Sequence, residues 1–80
     1  MAFHGLSGML QFLDYLRSKR IPAQIMQVRD DSLMVSFAMV GYRVEVSFFE
    51  SGIEYSVFTG HEDVFYKEAE LLSLIESNHY

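Results

Sequence analysis

The side chains that could carry chemistry in this 80-residue chain are three histidines (His4, His61 and His79) and eleven carboxylates. His61-Glu62-Asp63 sets an imidazole beside two acids, a fragment that could ligate a metal or exchange protons. Side chains adjacent in sequence rarely converge on one point, so a solvated loop is the simpler reading. Asp30-Asp31 could act as paired acids. They fall between two alternating apolar runs, and there a turn stabilised by short side chains accounts for them. No serine stands in a G-x-S-x-G elbow, so nothing points to a nucleophile. Gly5-Leu6-Ser7-Gly8 could offer free N–H groups to an anion, but no strand precedes it and no lysine follows, so it is not a phosphate loop. The absence of cysteine excludes disulfides, thiolate metal sites and thiol catalysis. The expectation is a chain with no catalytic residue, no metal and no cofactor, one that is not an enzyme.

The elements that position these groups follow from periodicity. Residues 7–19 read as a helix whose stripe is Leu6, Met9, Leu10, Leu13 and Leu16. Ser7 is placed to cap its first turn, and Arg17, Lys19 and Arg20 suit the negative end of its dipole. Ile21-Pro22 stops it, because a residue before proline is pushed out of the α region. Four strands then follow, over 23–29, 33–40, 42–50 and 53–59, joined by turns at Asp30-Asp31-Ser32, Gly41 and Glu50-Ser51-Gly52. Segment 60–66 reads as loop. Residues 67–76 read as a second helix with Ala69, Leu72 and Ile75 inward and Leu71 and Leu74 beside them, and the tail from Ser77 reads as frayed. The expected architecture is one α+β domain spanning 1–80, a four-stranded antiparallel meander with an N-terminal and a C-terminal helix packed on one face (α-β-β-β-β-α).

Alternation divides the strands into two faces. Leu33, Val35, Phe37, Met39, then Tyr42, Val44, Val46, Phe48, then Ile53, Tyr55, Val57 belong to the core face. The other face takes Met34, Ser36, Ala38, Val40, Arg43, Glu45, Ser47, Phe49, Glu54, Ser56 and Phe58. A face that mixes charge with Met34, Val40, Phe49 and Phe58 reads as a contact surface. At this size a core alone gives little net stability, and an apolar content of 50% points to apolar surface covered by another chain. Charge is segregated as well. Residues 1–43 hold five basic and three acidic groups, net +2, while 44–80 hold one basic and eight acidic groups, net −7. That negative half repels phosphates, so nucleic acid is not the expected partner; a basic protein is. The first helix lacks a lysine-rich face, no apolar run reaches 18 residues, and the N-terminus lacks a signal-peptide pattern. The expectation is therefore a cytoplasmic protein with no membrane contact.

The stretch Val28-Arg29-Asp30-Asp31-Ser32-Leu33-Met34-Val35, followed by Arg43-Val44-Glu45-Val46-Ser47-Phe48-Phe49-Glu50-Ser51-Gly52-Ile53-Glu54-Tyr55, resembles small uncharacterised bacterial proteins of α-β4-α plan. Some of these are similar to immunity proteins of toxin systems. The likeness spans residues 8–76, is a pattern of hairpins and turns without a catalytic signature, and transfers no functional residue. It implies a bacterial cytosolic protein that works by binding. Two functions are expected from the residues and this likeness together. One is an immunity- or antitoxin-type module that masks a basic partner through Glu45, Phe49, Glu54, Phe58, Glu62 and Asp63. The other is a homodimeric structural or assembly module that apposes sheet faces or an edge strand.

Overall fold

The structure is a computed structural model and describes residues 4–59, 62–65 and 68–77. The chain runs through α1 (Gly5–Ser18), β1 (Ala23–Arg29), β2 (Ser32–Met39), β3 (Tyr42–Phe49), β4 (Gly52–Phe58), β5 (Glu62–Phe65) and α2 (Glu68–Ser77). The strands form one sheet in the order β1-β2-β3-β4-β5, with every neighbouring pair antiparallel. The expected α+β meander with a helix at each end is present, and β5 adds a fifth strand within the segment expected to be loop. Phe58 pairs with Glu62 there, so β4 reverses directly into another strand. The acidic pair Glu62-Asp63 has low strand propensity and hides this from the sequence. Gly60, His61, Tyr66 and Lys67 lie outside the described residues, as do Asn78, His79 and Tyr80.

Two-residue turns join the first four strands. Gly41 takes φ 90 in the second of them, a left-handed conformation that suits glycine. Short turns fix register, and register fixes which residues face the core. Val35, Val44 and Val46 are fully buried, and Phe37, Phe48, Ile53 and Tyr55 join them, as alternation predicts. Tyr42 is on the same face; its hydroxyl is buried without a hydrogen-bond partner among the described residues, and burial pushes its pKa up.

The helices are rotated from their expected positions. In α1 the buried residues are Gly8, Met9, Phe12 and Leu16. Leu6 and Leu10, expected inside, are 61% and 53% exposed. Phe12 takes the central place, with its ring 5.9 Å from that of Phe37 and 5.6 Å from that of Phe48. In α2, Leu71 and Ile75 are fully buried, Leu72 is half-buried and Ala69 is exposed, so the inward stripe is the 71/75 pair and not 69/72/75. Burial of Phe12 and Leu16 sets the rotation of α1, and a clasp between the helices accompanies it. Tyr15 donates a hydrogen bond to Glu76 Oε1 at 2.9 Å, and Lys19 Nζ reaches Glu76 Oε2 at 2.8 Å. Turning Tyr15 and Lys19 toward α2 carries Leu6 and Leu10 to the opposite flank of the helix.

The ends of α1 also differ from expectation. Ser7 lies inside the helix; His4 holds the N-cap position in extended conformation and makes no side-chain cap bond. Gly5 has φ 62, and a Cβ there would stand 3.3 Å from Glu50 Oε2. The Glu50 carboxylate thus lies beside the positive end of the helix dipole, where an anion is favoured. At the other end, Ile21 N–H bonds Leu16 O at 2.9 Å and Arg20 N–H bonds Arg17 O at 3.0 Å. This closes a Schellman motif with Arg20 at φ 60, the left-handed position where glycine is usual.

The clasp is sensitive to alkali. Burial, then the hydrogen bond and negative charge of Glu76, push the Tyr15 pKa from 10.0 up to about 12. The folded state favours the neutral phenol, so this contribution to stability is complete below pH 10 and is lost as pH rises through 12. Urea denaturation across that window should show stability falling less steeply in Tyr15→Phe than in the unaltered chain. Equal slopes would remove the clasp from the account.

Candidate functional site

Both helices lie on the Phe12 side of the sheet, and no described element covers the other side. The strand pleat delivers alternate residues to that open face, and the registers arrange them in rows across it. Ala38, Arg43 and Phe58 form one row; Gln24, Ser36, Glu45, Ser56 and Val64 form the next. Met26, Met34, Ser47 and Glu54 form a third. Phe49 ends β3 on this face.

A bulge in β1 completes the arrangement. Strict alternation from Ala23 and Ile25 would send Arg29 to the core face. The register shifts between Met26 and Arg29, and Arg29 instead pairs with Ser32 on the open face. Its guanidinium then lies 5.8 Å from the Phe49 ring centroid and 3.7 Å from Glu54 Oε1. Arg43 repeats the pattern two strands away, 4.9 Å from the Phe58 centroid and 3.2 Å from Glu45 Oε2. Each arginine thus bridges an aromatic ring and a carboxylate. Both glutamates are half-buried beneath more exposed arginines.

Of the six expected contact residues, the structure brings Glu45, Phe49, Glu54 and Phe58 onto one face. Glu62 pairs with Phe58 and Asp63 with Val57 along β5; their side chains lie outside the described residues. The electrical character of the face differs from the expected anionic surface. Two arginines stand beside its two glutamates, so among the described residues the charges balance in pairs. Sequence reasoning placed Arg43 on this face without pairing it, although the Arg43–Phe58 register follows from the β3–β4 turn. Arg29 was missed because nothing in periodicity announces a bulge.

The other candidates are placed as follows. Asp30 and Asp31 are exposed in the β1–β2 turn. His4 is exposed before α1, while His61 and His79 lie outside the described residues. No group of three or more histidine, aspartate or glutamate side chains among the described residues is arranged to hold a metal ion. A mainly apolar cleft of about 570 Å³ opens between β4 and α2, with Tyr55, Val57, Ala69, Glu70, Ser73 and Leu74 on its walls. Burial, then the charge of Glu70, raise the Tyr55 pKa there. No helix among the described residues is long and apolar enough to cross a membrane.

No protein-family model matches this chain, and neither a curated protein nor a solved structure gives a match. Fold and face together define an α+β protein that packs both helices on one side of a five-stranded antiparallel sheet and leaves the other side open, set with arginine–aromatic and arginine–carboxylate pairs.

The ring contacts are separable from the ion pairs. A double-mutant cycle of Arg43→Ala and Phe58→Leu, read by urea denaturation, should give a coupling of about 0.5–1 kcal/mol that persists in high salt. A coupling near zero at every salt concentration would mean that Glu45 alone holds Arg43.

Proposed function

We propose that this chain is a non-enzymatic protein-binding module of immunity or antitoxin type, and that it masks a basic partner protein with the open face of its sheet. The observation that carries the reading is the uncovered face itself, where Phe49 and Phe58 lie beneath Arg29 and Arg43 beside two half-buried glutamates. Aromatic rings and arginines are the side chains enriched in protein contacts. Removing water from such pairs strengthens their interactions, so the face gains more from a covering partner than isolated exposed phenylalanines would.

The formal charge of −5 supports a basic partner, since it speeds encounter with a cationic surface. On contact, the partner's cations compete with Arg29 and Arg43 for Glu54 and Glu45. This division of labour differs from a uniformly acidic patch. Net charge governs arrival, and the rings and exchangeable ion pairs govern what stays.

Co-purification from the native host tests the reading. The unaltered chain should retain a specific basic protein, and Phe58→Ser combined with Glu45→Arg should reduce its recovery at least about tenfold, the scale expected for a contact hot spot. Undiminished recovery after both changes, and after Phe49→Ser with Glu54→Arg, would overturn the proposal.

A further inference from the structure

A second surface is unfinished, and it is distinct from the open face. One row of the core runs Ile25, Val35, Val46, Tyr55 across β1 to β4. Val35 and Val46 are fully buried and Tyr55 nearly so, yet Ile25 is 53% exposed. The core therefore runs out into solvent at β1. Beside it, Leu6 and Leu10 project from the flank of α1 that faces away from the Tyr15–Glu76 clasp. Leu6, Leu10 and Ile25 are three of the seven large exposed hydrophobic side chains among the described residues; Met26 and Val28 of β1 belong to the open-face side. A cleft of about 650 Å³ between α1 and β1 has Leu10, Leu13, Ile21 and Ala23 on its walls, together with Asp14, Arg17 and Arg20.

β1 is also an edge strand of seven residues, with one row of backbone groups not paired in the sheet. Edge strands are normally protected by charge, by proline within the strand or by shortness. This one has no charged residue from Ile21 to Val28, and its single nearby proline, Pro22, precedes it.

We infer that β1 pairs antiparallel with β1 of a second copy of this chain and so forms a twofold dimer with a continuous ten-stranded sheet. A twofold axis normal to the sheet reverses strand direction and preserves its faces, so the helices of both copies stand on the same side. With the axis at Ile25, the two Ile25 side chains meet. Gln24 pairs with Met26, and Ala23 with Gln27. Leu6 and Leu10 of each copy close over the junction and continue the core across it.

Charge favours a second copy over an unrelated strand. The uncharged stretch keeps the like net charges of two copies away from the junction. At its ends antiparallel pairing brings Arg20, which precedes β1, toward the exposed Asp30-Asp31 turn that follows β1 of the other copy, and symmetry makes this approach twice. An antiparallel self-pairing thus joins the basic end of β1 to its acidic end.

Sedimentation equilibrium of the full chain, loaded at about 100 μM so that a modest interface is populated, should give twice the 9.3 kDa of one chain. Ile25→Lys should raise the dissociation constant at least about tenfold, since a charge on an edge strand opposes pairing, while circular dichroism stays unchanged. Arg20→Glu should weaken the dimer about threefold, the scale of an exposed ion pair, and adding Asp30→Arg in the same chain should restore it. That rescue decides the matter even if Ile25→Lys folds poorly. A monomer at this concentration, a dimer as tight with Ile25→Lys, or a double reversal weaker than the single one would each overturn the inference. Phe49 and Phe58 lie on the open face, so a dimer that survives Phe58→Ser separates this junction from partner masking.

Discussion

Phe12 is the contact on which the arrangement depends. A sheet has two faces, and the apolar one must be covered from within the chain or by another molecule. Phe12 meets Phe37 on β2 and Phe48 on β3, which seats α1 across the middle of the sheet. Leu71 and Ile75 bring α2 down on the same side, and Tyr15 and Lys19 fasten the two helices through Glu76. With both helices committed there, the reverse face has only its own side chains to shield it among the described residues, and α1 covers the β1 margin of the core only in part.

The two exposed regions solve that problem differently. On the open face, guanidinium groups lie over Phe49 and Phe58 and form ion pairs with Glu54 and Glu45. Such exposed pairs stabilise by about 1 kcal/mol or less each, too little to explain the fold but enough to hold the rings in a defined setting. At the β1 margin there is no such shielding: Leu6, Leu10 and Ile25 stand in water beside unpaired backbone. The first surface is suited to a partner that can exchange ion pairs, the second to a strand that can complete a ladder.

Much of the sheet was legible in the sequence because its period is two and its turns are short. Once Gly41 and Glu50-Ser51 set the reversals, Val35, Val44, Val46, Phe48 and Tyr55 had one possible side. The same logic correctly grouped Glu45, Phe49, Glu54 and Phe58. The helices were less legible for a physical reason: in α1 the apolar arc extends from Phe12 through Met9 and Leu13 to Leu6 and Leu10, wider than the face a sheet can cover. Its rotation is set by Phe12 against Phe37 and Phe48, ring partners more than twenty residues away that no local pattern contains. The bulge that carries Arg29 across the sheet, the left-handed Arg20 and the acidic strand β5 are likewise tertiary choices made against local preference. Charge segregation along the chain was read correctly and located too simply, because strand pairing brings arginines from the first half beside glutamates of the second.

The central claim is that one face is sealed by the chain's own helices while the other is kept for a partner. Hydroxyl-radical footprinting of the purified chain, alone and with the basic partner that the proposal requires, tests this most directly. The account predicts that Phe49, Phe58 and Met34 are modified readily in the free chain while Met9, Phe12 and Phe48 are protected, and that the partner suppresses the first group only. Modification of Phe12 and Phe48 as fast as Phe49, or partner protection confined to the helices, would contradict it.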